Sequence, residues 1–151
     1  MRMDTDFIEL PHTGDIKIRA YGKTKEELFC HALAGMFQSA RPVVDDPACR
    51  IENGRVMCQQ FSCQRHIVTS GPDMHALLVN FLSDALYFSD IHNEAYFDAT
   101  IEIMTDMHIA ASIHGVPVKG FAIAEIKAVT YHDLTITHHD DTWQADIVFD
   151  I

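Results

Sequence analysis

The stretch Thr24-Lys25-Glu26-Glu27-Leu28-Phe29-Cys30-His31-Ala32-Leu33-Ala34-Gly35-Met36-Phe37 decides the fold. Thr24 and Glu27, three residues apart, form a capping box: hydroxyl and carboxylate take up amides that the first helical turn leaves without partners. Leu28, Phe29, Ala32, Leu33, Met36 and Phe37 then recur at helical spacing, a stripe that faces a core and not a cofactor. Pro42 ends the helical region.

Upstream, residues 6–10 read as a short strand that stops at Pro11. Residues 15–21 alternate, with Ile16, Ile18 and Ala20 facing one way and Asp15, Lys17 and Arg19 the other, until Gly22. Downstream the strand-then-helix order recurs. Residues 56–64 read as a strand, Gly71-Pro72 as a turn, and Asp73 caps a second helix with the stripe Leu77, Leu78, Phe81, Leu82, Ala85 and Leu86, ending near Ser89. The repetition suggests an internal strand-helix duplication. The remainder is strand: 97–104 and 107–114 joined through Thr105-Asp106, a loop over 115–120, a strand region over 126–137, a polar turn His138-His139-Asp140-Asp141, and a last strand over 143–151. In 107–114, Met107, Ile109, Ala111 and Ile113 face inward and His108, Ser112 and His114 outward. In the last strand Trp143, Ala145, Ile147, Phe149 and Ile151 share the core face, with Gln144, Asp146, Val148 and Asp150 opposite. Nothing splits the chain, so residues 1–151 read as one α+β domain, two helices packed on a mostly antiparallel β-sheet.

Composition narrows the function. Eleven Lys and Arg stand against twenty-two Asp and Glu, for a formal net charge of −11 with ten histidines neutral. Nonspecific nucleic-acid binding needs basic side chains that displace counterions from phosphates. Direct nucleic-acid binding is therefore not expected, and a nuclease acting alone is disfavoured. An acidic surface instead favours a basic protein partner. The opening MRMDTDFIELP lacks an apolar signal core and no run of 18 apolar residues occurs, so a cytoplasmic protein with no membrane segment is expected. The cysteines, Cys30, Cys49, Cys58 and Cys63, form no CxxC pair; they are read as reduced thiols without a zinc site. No Gly-rich phosphate loop and no nucleophile–base arrangement is present, so the chain is not read as an enzyme.

Three segments carry candidate chemistry. In Pro11-His12-Thr13-Gly14-Asp15-Ile16, a turn delivers Asp15 to the start of a strand. In Asp146-Ile147-Val148-Phe149-Asp150-Ile151, Asp150 stands beside the carboxylate of Ile151, and adjacent carboxylates repel unless a cation neutralises them. Hard divalent cations prefer such oxygen ligands. In Glu125-Ile126-Lys127-Ala128-Val129-Thr130-Tyr131-His132, Lys127 is placed to pair with carboxylates or reach a phosphate. Taken singly, each is equally a turn residue, a solvated tail or a strand lysine.

Together, the run from His12 to Gly22, the run Glu125 to His132 with Leu134, and Phe149-Asp150-Ile151 resemble the signatures of the archease family, in order and at the expected ends. The resemblance implies a compact α+β protein that activates the GTP-dependent RtcB-type RNA ligase of tRNA splicing by promoting its guanylylation. It further implies a divalent metal ion (Ca²⁺, Mg²⁺ or Mn²⁺) held by Asp15, Asp150 and the carboxylate of Ile151, with Lys127 functional and His12 part of the motif. The chain departs from the family pattern at Gly14, where Ala is common, and in Lys119-Gly120-Phe121-Ala122-Ile123-Ala124, where a His often precedes the lysine motif. The alternative is a chaperone-like protein-interaction module without a metal role.

Overall fold

Strand β1 (Phe7–Leu10) turns back into β2 (Ile16–Gly22), which leads into helix α1 (Lys25–Ser39). These elements belong to a computed structural model that describes residues 6–151; the opening residues 1–5, read above as lacking a signal core, lie outside the described residues. After α1 come β3 (Pro42–Val43), β4 (Cys49–Glu52), β5 (Arg55–Cys58), β6 (Cys63–Ser70) and helix α2 (Met74–His92). Then follow β7 (Glu94–Met104), β8 (His108–Pro117), β9 (Gly120–Phe121), β10 (Ala128–Val129), β11 (Thr135–His139) and β12 (Thr142–Asp150).

Both helices start where their caps place them. The Thr24 hydroxyl accepts the Glu27 amide at 3.1 Å, and the Glu27 carboxylate accepts the amide of Lys23 at 3.3 Å. Asp73 accepts the Ala76 amide at 2.8 Å. Helix α2 runs one turn past Ser89, because Asn93 takes the left-handed conformation and its amide reaches the Ser89 carbonyl at 2.9 Å.

The fold is α+β, and every strand pairing among the described residues is antiparallel. The strands divide between sheets and do not form one. The two ends of the chain build β1-β2-β12-β10, with β11 also on β12; the middle builds β6-β8-β7; β3-β9 and β4-β5 are small pairs. Helix α1 packs chiefly on β2 and β7 and α2 on β6. The helices meet through Phe29 and Phe81, with ring centroids 5.7 Å apart. The predicted stripe residues of both helices are all buried.

Several expectations are corrected. The strand expected over 56–64 is the end of one strand and the start of another. Asn53 and Gly54, both at positive φ, close β4 onto β5 as a hairpin, and β6 begins afresh at Cys63. Cys49 and Cys58 face each other across that hairpin and form a disulfide, so these two are not reduced thiols. The loop expected over 115–120 is partly strand, since β8 continues to Pro117 opposite Glu94. The strand region over 126–137 is interrupted between β10 and β11 by a turn in which Asp133 has φ 53. Met107 precedes β8 and is exposed, whereas Ser112, expected outward, is buried and donates to Glu102 at 3.1 Å. Val148 is also buried although it lies opposite the core face. No helix of the structure is long and apolar enough to cross a membrane.

Candidate functional site

The register of β2 on β12 determines which side chains meet. Trp143 pairs with Gly22 and Phe149 with Ile16, in an unbroken ladder. Ile18, Ala20, Ala145, Ile147 and Phe149 point into the core and are fully or almost fully buried. The intervening residues share the outer face: Lys17 beside Val148, and Arg19 beside Asp146. Arg19 grips Asp146 with two bonds, 2.7 and 3.0 Å, which fasten the two strands together. That carboxylate raises the guanidinium pKa above its already high ordinary value, against the opposing effect of burial.

The ladder ends at the pair Ile16 and Phe149, so Asp15 immediately precedes β2 and Asp150 closes β12. Two carboxylates from opposite ends of the chain thus flank the same end of the β2–β12 ladder, Asp150 exposed and Asp15 half-buried. On the far side of β12, β10 sets Ala128 against Asp150, and the Lys127 amide donates to the Asp150 carbonyl at 2.7 Å. This bond holds the backbone of the last strand residue.

The Lys127 side chain is placed differently. By alternation it shares the face of Val129, not that of Ala128 and Asp150. It lines a cleft of about 480 Å³ with Asp90 and Glu125 over Phe37, Leu86 and Ile126. Burial, and secondarily Glu125, push the Asp90 carboxyl upward. Lys127 and the Asp15–Asp150 pair therefore lie on two sides of one strand end. His12 stands in the β1–β2 turn, its Nδ1 3.7 Å from the Asp15 carboxylate.

Asp15 and Asp150 offer carboxylate oxygens at this end of the ladder, with Ile151 next along the chain. Such an all-oxygen anionic set fits a hard divalent cation and no soft one. Asp15, Asp150 and Ile151 are the residues that would hold it.

Residues outside this set also gather here. His12, His132 and Asp133 bring their ligand atoms within 4.8 Å of one another. His132 belongs to a motif visible in the sequence, but nothing local in the sequence places it or Asp133 against His12. His138 and His139, the other histidines noted in the sequence, lie elsewhere: His138 stacks on Trp143 with centroids 4.3 Å apart.

Comparison with known proteins matches residues 7–151 to the model of the Archease protein family (MTH1598/TM1083). The protein archease of Methanosarcina barkeri is 33% identical over 94% of this chain and 93% of its own length. That of Pyrococcus abyssi is 31% identical over 93% and 94%. Among solved structures, Methanobacterium thermoautotrophicum protein 1598 superposes with a TM-score of 0.71 at 23% identity, covering 97% of this chain and 99% of that one. A Thermotoga maritima protein described as an archease, possible chaperone, superposes with a TM-score of 0.60 at 16% identity, covering 100% and 98%. At those identities the two structures speak for the fold alone.

Proposed function

This chain belongs to the archease family, and on that premise we propose that it is a protein cofactor of the GTP-dependent RtcB-type RNA ligase of tRNA splicing, not an enzyme in its own right. In this reading it docks on the ligase in the cytoplasm and presents Asp15, Asp150 and the Ile151 carboxylate as a divalent-cation site. The observation that supports the reading is the β2–β12 register, whose last pair, Ile16 and Phe149, stands next to Asp15 and Asp150 in the chain.

Asp15, Asp150 and the Ile151 carboxylate would hold the cation, which when bound would supply positive charge to neutralise phosphate oxygens. The chain's own groups do the positioning. The Arg19–Asp146 bonds and the Lys127 amide fix the β12 backbone, so Asp150 is held in place before any partner arrives. Lys127, on the other side of the strand end, is placed to meet phosphate or an acidic group of the partner from the adjoining cleft.

Calorimetric titration with Ca²⁺ and Mn²⁺ tests the site. Wild type is expected to bind one ion, and Asp150→Ala to bind it at least tenfold more weakly, the order of loss when a metal site is disturbed. Adding one residue after Ile151 displaces the final carboxylate by about 3.3–3.6 Å and is expected to weaken binding likewise. Equal heats from all three proteins would contradict the site.

A second reading, a chaperone-like interaction module without metal, is favoured by the exposed apolar side chains Val68 and Ile103 on the β6-β8-β7 sheet. It predicts no cation heat and unchanged partner activation in Asp150→Ala.

A further inference from the structure

His12, His132 and Asp133 come from two turns at opposite ends of the sequence, yet their ligand atoms all lie within 4.8 Å of one another. We propose that they form a second metal site, for a borderline transition cation such as Zn²⁺ or Co²⁺, beside the carboxylate pair and independent of it.

The fold brings the two turns together. His12 follows Pro11 in the β1–β2 connection, which Gly14 closes at φ +83. His132 and Asp133 sit in the excursion between β10 and β11, both of which pair with β12. Thr130 anchors the start of the excursion by bonding the Val148 carbonyl at 2.9 Å. The Leu134 amide closes it onto the Tyr131 carbonyl at 3.2 Å, and Asp133 turns it at φ 53.

The donor set differs in kind from the carboxylate pair. Two imidazoles and one carboxylate suit zinc or cobalt, whereas calcium and magnesium take oxygen almost alone. Bonds of about 2.0–2.2 Å to a tetrahedral ion require donors roughly 3.4 Å apart. His132 Nε2 already stands 3.3 Å from an Asp133 oxygen, so small side-chain rotations complete the set. All three ligands are exposed, so an ion can enter and a fourth position stays open to water or to a group from a partner.

Co²⁺ is the probe, because its visible absorption reports ligand geometry, and it is titrated into the full chain alongside calorimetry with Ca²⁺. Wild type is expected to bind one Co²⁺ with tetrahedral absorption bands. His132→Ala and His12→Ala should each weaken Co²⁺ at least tenfold, and His132→Ala should leave Ca²⁺ binding unchanged. Asp150→Ala should keep Co²⁺ and lose Ca²⁺. Absence of Co²⁺ binding by wild type, wild-type Co²⁺ affinity in both histidine variants, or loss of Co²⁺ in Asp150→Ala alone would each overturn the proposal. Absence of Ca²⁺ binding by wild type would instead sink the carboxylate reading and leave the cobalt result to stand or fall by itself.

Discussion

Gly115→Ala is expected to destabilise the protein by at least about 3 kcal/mol, or to abolish folding. Gly115 lies in β8, paired with Cys63 on one side and Tyr96 on the other. A methyl group there would stand 1.8 Å from the Ala95 carbonyl oxygen and 2.7 Å from its carbon. The obstacle is backbone of the neighbouring strand, which no rotamer change can move. β8 cannot retreat, because β6 holds its other edge. Gly54→Ala is the contrasting case: at φ +77 with nothing within 4 Å of the added carbon, it carries backbone strain alone, about 1 kcal/mol. Urea unfolding of both variants checks the pair. A loss below about 1 kcal/mol for Gly115→Ala would contradict the strand assignment at 115.

Arg65→Met is expected to cost about 3 kcal/mol at neutral pH by leaving a buried charge without its partner. Glu94 opens β7 with its side chain 8% exposed, and Arg65 grips it with two bonds of 2.9 Å. The Tyr96 hydroxyl donates to the same carboxylate at 2.7 Å. Burial alone would raise the Glu94 pKa. The bonds from Arg65, Cys63 and Tyr96 overcome that and hold it at about 2, against an ordinary value of 4.5. The folded-state pKa is depressed, so this stability is fully present above about pH 4.5 and disappears as pH falls towards 2. A shift of this size corresponds to about 3 kcal/mol. Wild type should therefore lose stability across that window, and Arg65→Met should show a shallower dependence there. The double variant Arg65→Met with Glu94→Gln should recover part of the loss, since no uncompensated charge remains. Parallel acid profiles for wild type and Arg65→Met would refute the account of the pair.

What the sequence made legible was local. Thr24 with Glu27, Asp73, and the two helical stripes are signals contained within a few turns, and each element starts where they place it. The hairpin of β4 and β5 was equally local: Asn53-Gly54 is a two-residue turn signal, and attention to it would have placed Cys49 opposite Cys58. Glu94 gave no such sign, because its partner lies 29 residues away on β6, which β8 separates from β7 in the sheet. The outer face misled for a different reason. Alternation puts Val148 opposite the core, yet it is 2% exposed, and alternation along one strand carries no information about what lies over that face.

The candidate site shows the same division. Asp15 and Asp150 were visible as residue types in motifs. That they flank the same end of one ladder depends on β2 and β12 being neighbours, a property of strand order that no single segment encodes. Lys127 reads from the sequence as placed to pair with carboxylates or to reach a phosphate; the register gives it the face opposite that of Asp150 and a cleft of its own. A protein that uses both would present an acidic point and a lysine on adjoining surfaces of one strand end. This arrangement suits docking against a partner better than chemistry in an enclosed pocket.

In the proposed reading, Asp15 and Asp150, at one end of the β2–β12 ladder, are how this chain acts on an RNA ligase. The direct measurement is covalent guanylylation of an RtcB-type ligase by GTP, with wild type, Asp150→Ala or no addition. Wild type is expected to accelerate guanylylation, and Asp150→Ala to leave it at the rate of the ligase alone. Equal acceleration by both proteins would contradict the claim.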